Sequence, residues 1–182
     1  MQTFLTRYGL HSALNDLDTV TLNQQRRDAK SVAMYILGIS DAGEKDPATK
    51  MWIGHEMALL NYGAVAAFIW KKRGNSDEML TWFASEAKRF RKDFPGVTAL
   101  APTWSRDADV IRSHRAALVR KAPKEYADKW KGVTRNMPVL WPDTTGGSHR
   151  NYLSKADFNN PGLVLPSHLI VNPETREVTR AQ

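Results

Sequence analysis

The sequence predicts a mainly α protein: a single compact helical domain around one buried central helix, with a small C-terminal β-hairpin. Three observations carry this expectation. Between Asp46 and Gly74 nearly every turn is apolar (Met51, Ile53, Met57, Ala58, Leu60, Ala64, Val65, Ala67, Phe68), as in a helix buried on several sides. The flanking segments repeat apolar residues three and four apart, the period of an amphipathic helix. Near the end, SHLIVNPETREVTR sets short β-prone runs on either side of an Asn-Pro turn.

The central helix has clear end signals. Asp46 suits the N-cap, and Pro47 fits the first helical position, where a missing N–H costs nothing. Lys71, Lys72 and Arg73 complement the negative end of the helix dipole, and Gly74 can close it with a left-handed cap. Gly54 and Gly63 each cost about 1 kcal/mol relative to Ala, so close packing is expected there. His55 and Glu56 read either as a hydrogen-bonded core histidine with a solvated acid or as polar groups at the rim of a site.

In chain order, residues 1–12 read as a short extended lead-in anchored by Phe4, Leu5, Tyr8 and Leu10. A helix follows from about Leu17 to Leu37, ended by Gly38, with Leu22, Ala29, Val32, Ala33, Ile36 and Leu37 inward. Its first half packs two amides, two guanidiniums and a carboxylate (Gln24, Gln25, Arg26, Arg27, Asp28) into five residues, more than a solvated turn requires. Ser76 or Asp77 caps a helix to about Lys92, with Met79, Leu80, Phe83, Ala87 and Phe90 as its stripe and Trp82 outward. Ser105 or Asp107 opens another over roughly 106–121, burying Val110, Ile111, Ala117 and Leu118, with His114 at the edge of that face. Pro123 starts a short helix through Trp130, closed by Gly132. The prolines hold 137–142 extended, 143–151 reads as a flexible loop, and the hairpin pairs 169–171 with 177–179.

Composition narrows the function. The chain has 182 residues, enough to bury a proper core in one domain. It contains no cysteine, which excludes disulfides, thiol catalysis and cysteine-ligated zinc and fits a cytoplasmic setting. No apolar run approaches the roughly 18 residues of a membrane span, so no membrane association is expected. The net charge of +7 favours a polyanionic partner. Residues 112–135 hold eight basic side chains against two acidic ones, a net of +6, interleaved with His114, Tyr126 and Trp130. A charge run is ordinarily a solvated face, but this concentration reads as a nucleic-acid contact surface, with Arg115, Arg120, Lys121, Lys129 and Lys131 among the expected contacts. Phosphate-cradling, dinucleotide and nucleophile-elbow motifs are absent. The five histidines show no pair at ligand spacing, and Leu59 stands where a zinc-protease helix would repeat the histidine after His55-Glu56. No metal or other cofactor is expected. The remaining inventory of amines, carboxylates and arginines suits Schiff-base chemistry on DNA.

Four blocks carry a family resemblance: MQTF, LDTVTLNQQRRDA, MWIGHEMALLNYG and SHRAALVRKAPKEYADKW, closing on LWP. In this order they resemble the pyrimidine-dimer DNA glycosylase (endonuclease V-type) family, in its actinobacterial-style branch, over about residues 1–142. Residues 143–182 form an extension expected to pack on the same domain. The resemblance implies a monomeric enzyme on double-stranded DNA whose amino terminus attacks the sugar C1′, expels the base and cleaves the strand by elimination. An α-amine suits this role, being about 10–15% neutral at pH 7 against about 0.04% for an ordinary lysine. With Gln2 too large for efficient methionine removal, the amine expected is that of Met1. Arg26 matches the family's phosphate-holding arginine. Arg27 occupies the place of the acid that follows it, so Asp28 is the expected acid, with Glu56 in reserve. Gln25, Arg27, Lys30 and His55 are expected near the DNA, and His114 and Arg115 match the later helix lining its groove. Trp52, Trp130 and Trp141 are candidates to fill the gap left by a flipped base. Two other readings stay open: a DNA-binding protein of this fold without the chemistry, and an enzyme of base modification.

Overall fold

The computed structural model describes residues 4–76, 78–145 and 149–181. It is mainly α with a small C-terminal antiparallel sheet, and it divides into two compact units, residues 1–102 and 103–182.

The first unit contains α1 (Leu10–Asn15), α2 (Thr19–Ile36), α3 (Pro47–Trp52), α4 (Glu56–Lys72) and α5 (Met79–Asp93). Helix α4 is its centre and packs on α1, α2 and α5. Leu59, Leu60, Tyr62, Ala66 and Ala67 of α4 are buried with Leu14, Leu22, Ala29 and Val32. Gly63 is where α5 comes closest: a Cβ there would overlap the ring of the fully buried Phe83. The absent side chain therefore permits the helix contact, and the packing offsets its conformational cost.

The single helix expected from Asp46 to Gly74 is two. Asp46 does cap α3, its carboxylate accepting from Ala48 N at 2.9 Å. Gly54 then turns the chain at φ +78°, a conformation that ends α3 and lets α4 start afresh at Glu56. Glu56 Oε1 accepts from Gly54 N at 2.9 Å. Ile53 and Phe68, expected inward, are exposed, because the break rotates one and the outer face of α4 carries the other. The lead-in is also shorter than expected: Phe4, Leu5 and Thr6 are buried, but Tyr8 is exposed and Leu10 begins α1. On α5 only Phe83 is fully buried; the other four expected core positions are half-exposed, since one face of that helix meets solvent.

The second unit comprises a 3₁₀ turn (Thr103–Arg106), α6 (Ala108–Lys121), α7 (Pro123–Tyr126), α8 (Lys155–Phe158) and strands β1 (Trp141–Asp143), β2 (Arg150–Tyr152), β3 (Leu169–Val171) and β4 (Glu177–Arg180). Asp107 caps α6, accepting from Asp109 N at 2.8 Å, and Val110, Ile111, Ala117 and Leu118 are buried as expected. The helix from Pro123 ends at Tyr126 and reaches Gly132 through turns. The expected hairpin is present as β3–β4, Leu169 facing Arg180 and Val171 facing Val178. It belongs to a larger antiparallel sheet of order β1-β2-β4-β3. Part of the segment expected to be a flexible loop is thus strand: Asp143 pairs with Arg150 and Trp141 with Tyr152. Because β1 straddles positions 142 and 143, the expected domain boundary there falls inside the second unit. Among the described residues no helix is long and apolar enough to cross a membrane.

Candidate functional site

The polar first half of α2 turns inward. Thr19–Ile36 begins with Asp18 accepting from Thr21 N at 2.8 Å, and this start puts Gln25, Asp28, Ala29 and Val32 on the buried face. Gln25 Oε1 accepts from the Phe4 backbone N–H at 2.6 Å and from the Tyr62 hydroxyl at 2.6 Å. The same hydroxyl lies 3.1 Å from the Phe4 carbonyl oxygen. Phe4 is thereby fixed to α2 and α4 through its own backbone.

Asp28 is one helical turn further on and 2% exposed, with Gln24 Nε2 donating to its Oδ1 at 2.6 Å. Burial, with the nearby Asp28 charge as a second cause, raises the Tyr62 phenol well above its ordinary value. Tyr62 therefore serves as a fixed hydrogen-bond donor. The sequence reading passed over it, although it carries the sole hydroxyl on the apolar α4. Asp46 is also buried, and burial raises its carboxyl against the lowering effect of the Ala48 N–H.

These placements revise several expected DNA contacts. Gln25 is buried and clamps Phe4, so its oxygen is committed within the protein. Arg26 is 8% exposed. Its Nε and Nη2 donate to Asn23 Oδ1 at 3.0 and 2.6 Å, and its guanidinium lies 4.4 Å from the centre of the Trp70 ring. Burial, then the charge of Arg27, lowers its pKa. Its guanidinium is thus engaged within the protein. Arg27 is exposed, and Lys30 stands over the Trp82 ring at 5.0 Å, which draws that tryptophan partly inward. Trp52 is a core side chain packed 5.5 Å from Tyr62, not a wedge at the surface.

His55 stands at the start of α4, half-buried, and its imidazole is lowered by burial more than the Glu56 charge raises it. Glu56 is half-buried and borders an open groove of about 600 Å³ with Tyr35, Ile36, Ile39, Ser40 and Ile53. His55 is not among the residues that line it. Met1 lies outside the described residues.

In the second unit the basic run forms an exposed face. Lys121, Lys124, Lys129, Lys131 and Arg135 are exposed along α6, α7 and the turns after them. Trp130 is buried, stacked on Tyr126 at 5.1 Å with 3° between the rings, and Arg115 and Lys129 each stand 5.9 Å from its centre. This tryptophan supports the cations and is itself withdrawn from contact. Arg120 Nη1 donates to the carbonyls of Arg135 and Met137 at 2.9 and 3.0 Å, tying down the segment before β1. His114 is fully buried, deeper than the edge position expected for it, because α6 is covered along that side. Among the described residues no group of three or more histidines or acids is arranged to hold a metal ion.

The two units supply separate ingredients. The first brings a water-shielded carboxylate to the α2 turn that holds Phe4, and the second presents a cationic surface stiffened by stacked aromatics. No family model, no curated protein and no solved structure matches the chain.

Proposed function

We propose that this protein is a metal-independent DNA glycosylase with coupled strand-cleaving lyase activity on a damaged or modified pyrimidine. The observation that carries the reading is the pinning of Phe4 on Gln25 and Tyr62, one turn from the buried Asp28. Three residues span at most about 10 Å, so the amine of Met1 is tethered within that distance of a fixed point. In the proposed reaction the neutral amine forms a bond to C1′ as the glycosidic bond breaks, and the base departs with a proton. A proton from solvent on O4′ opens the sugar ring to an iminium; water takes up the C2′ proton as the 3′ phosphate leaves, and hydrolysis of the iminium frees the amine. A carboxylate shielded from water interacts strongly with such a cation, and this is the role assigned to Asp28. The 112–135 face would hold the phosphates.

Arg27, standing where the resembled family has its acid, favours a second reading: a DNA-binding protein of the same fold without the chemistry. Borohydride trapping on a duplex containing an abasic site separates the two. A covalent adduct on the amino-terminal peptide is expected, and Asp28→Asn should lower turnover by about two orders of magnitude or more with DNA affinity nearly unchanged. Failure to trap any adduct while the duplex binds would establish the second reading. An adduct on a lysine, or one that survives blocking of the terminus, would refute the assigned nucleophile.

A further inference from the structure

The second unit holds another cluster of ionisable groups, assembled from α6, β2, β4 and the segment before β3. Asp109, in the first turn of α6, is buried yet surrounded by donors. His168 Nε2 lies 2.9 Å from its Oδ1, Arg180 Nη2 donates to its Oδ2 at 3.2 Å, and Arg112 Nη1 is 3.7 Å from Oδ1. Beside it Asp107 gives one oxygen to the helix cap. The other accepts from Asn151 Nδ2 at 3.3 Å, with His149 Nε2 at 3.9 Å. Arg180 Nη2 also stands 4.0 Å from Asp107, and His149 Nε2 is 3.0 Å from Asn151 Oδ1.

The arrangement has an inside and an outside. The two aspartate side chains are 7% and 16% exposed, whereas those of Arg112, His168 and Arg180 are 49%, 46% and 68% exposed. The anions are thus turned inward beneath a surface of donors. Asp109 holds His168 and Arg180 by hydrogen bonds, with Arg112 3.7 Å away, while all three of those side chains stay about half exposed or more.

We propose that Arg112, His168 and Arg180 form a clamp for a backbone phosphate of nucleic acid. Preoriented guanidinium forks suit the tetrahedral phosphate group, and Arg112 also begins the basic run at 112–135. The clamp rests on the nucleic-acid part of the proposed function and is independent of any chemistry at Met1. It gives residues 168–180 a part in binding.

The test is binding of a short duplex to the full chain by fluorescence anisotropy at constant pH and ionic strength. Arg112→Ala and Arg180→Ala should each bind about five- to tenfold less tightly than wild type. Wild-type behaviour from both variants would overturn the clamp, and loss of affinity in Lys129 and Lys131 variants alone would leave the wider DNA reading standing. Should a variant fail to fold, NMR of the histidine rings in the unsubstituted protein decides the matter. Inorganic phosphate should shift the His168 ring signals. The absence of any shift would overturn the proposal, whether or not the duplex binds.

Discussion

Replacing Gln25 by Leu tests the link between the amino-terminal segment and the core. Leu is close in volume to Gln, so the change removes an acceptor without opening a large cavity. It deprives two buried donors, the Phe4 N–H and the Tyr62 hydroxyl, of an oxygen at 2.6 Å from each. A buried donor left without its acceptor costs about 1–3 kcal/mol. The hydroxyl can turn to the Phe4 carbonyl at 3.1 Å, so its loss falls at the low end, whereas the amide cannot reorient as freely. The expected destabilisation is about 2–4 kcal/mol, which for a chain of this size lowers Tm by about 4–16 °C. Urea unfolding followed by tryptophan fluorescence measures the first quantity, and amide hydrogen exchange locates it. The Phe4 amide should lose protection before those of α4. A loss below about 1 kcal/mol, or full protection of Phe4 in the variant, would refute the pinning of Phe4 by Gln25.

Three further outcomes follow from particular contacts. Gly63→Ala should destabilise by about 1–3 kcal/mol, since its methyl overlaps the buried Phe83 ring, and Phe83→Leu in the same chain should recover part of that loss; purely additive effects in denaturant titration would argue against the contact. Burial lowers the His55 imidazole, so below its unfolded pKa the unfolded chain binds more protons; stability should fall as pH drops from about 7 to 5, and His55→Gln should flatten that part of the Tm–pH curve. If the 112–135 surface neutralises about six phosphates, log K should fall against log salt with a slope near −5, and a slope shallower than about −2 would remove this surface as the main footprint.

The local signals that proved readable are those in which the chemistry of one residue acts on its own backbone. Asp46 and Asp107 cap helices because a short carboxylate reaches the N–H two residues on, and the strands at 169–171 and 177–180 follow from the turn between them. The buried stripe of α6 and the basic face of 112–135 were legible too, since period and charge are properties of the order of residues. The break at Gly54 was harder to see, because glycine is tolerated inside a helix as well as at its end; only its positive φ decides.

What a polar side chain does was not written in the sequence. Gln25 and Arg27 are two positions apart on one helix, yet one is in the core and the other in solvent, and both had been read as DNA contacts. Rotation of α2 about its axis decides between them, and that rotation is set by the packing of Leu22, Ala29 and Val32 on α4, distant in the chain. The cluster on Asp109 was beyond reach for the same reason. Arg112 lies one helical turn from Asp109, but no spacing rule relates positions 168 and 180 to them until the tertiary fold brings those residues to the start of α6.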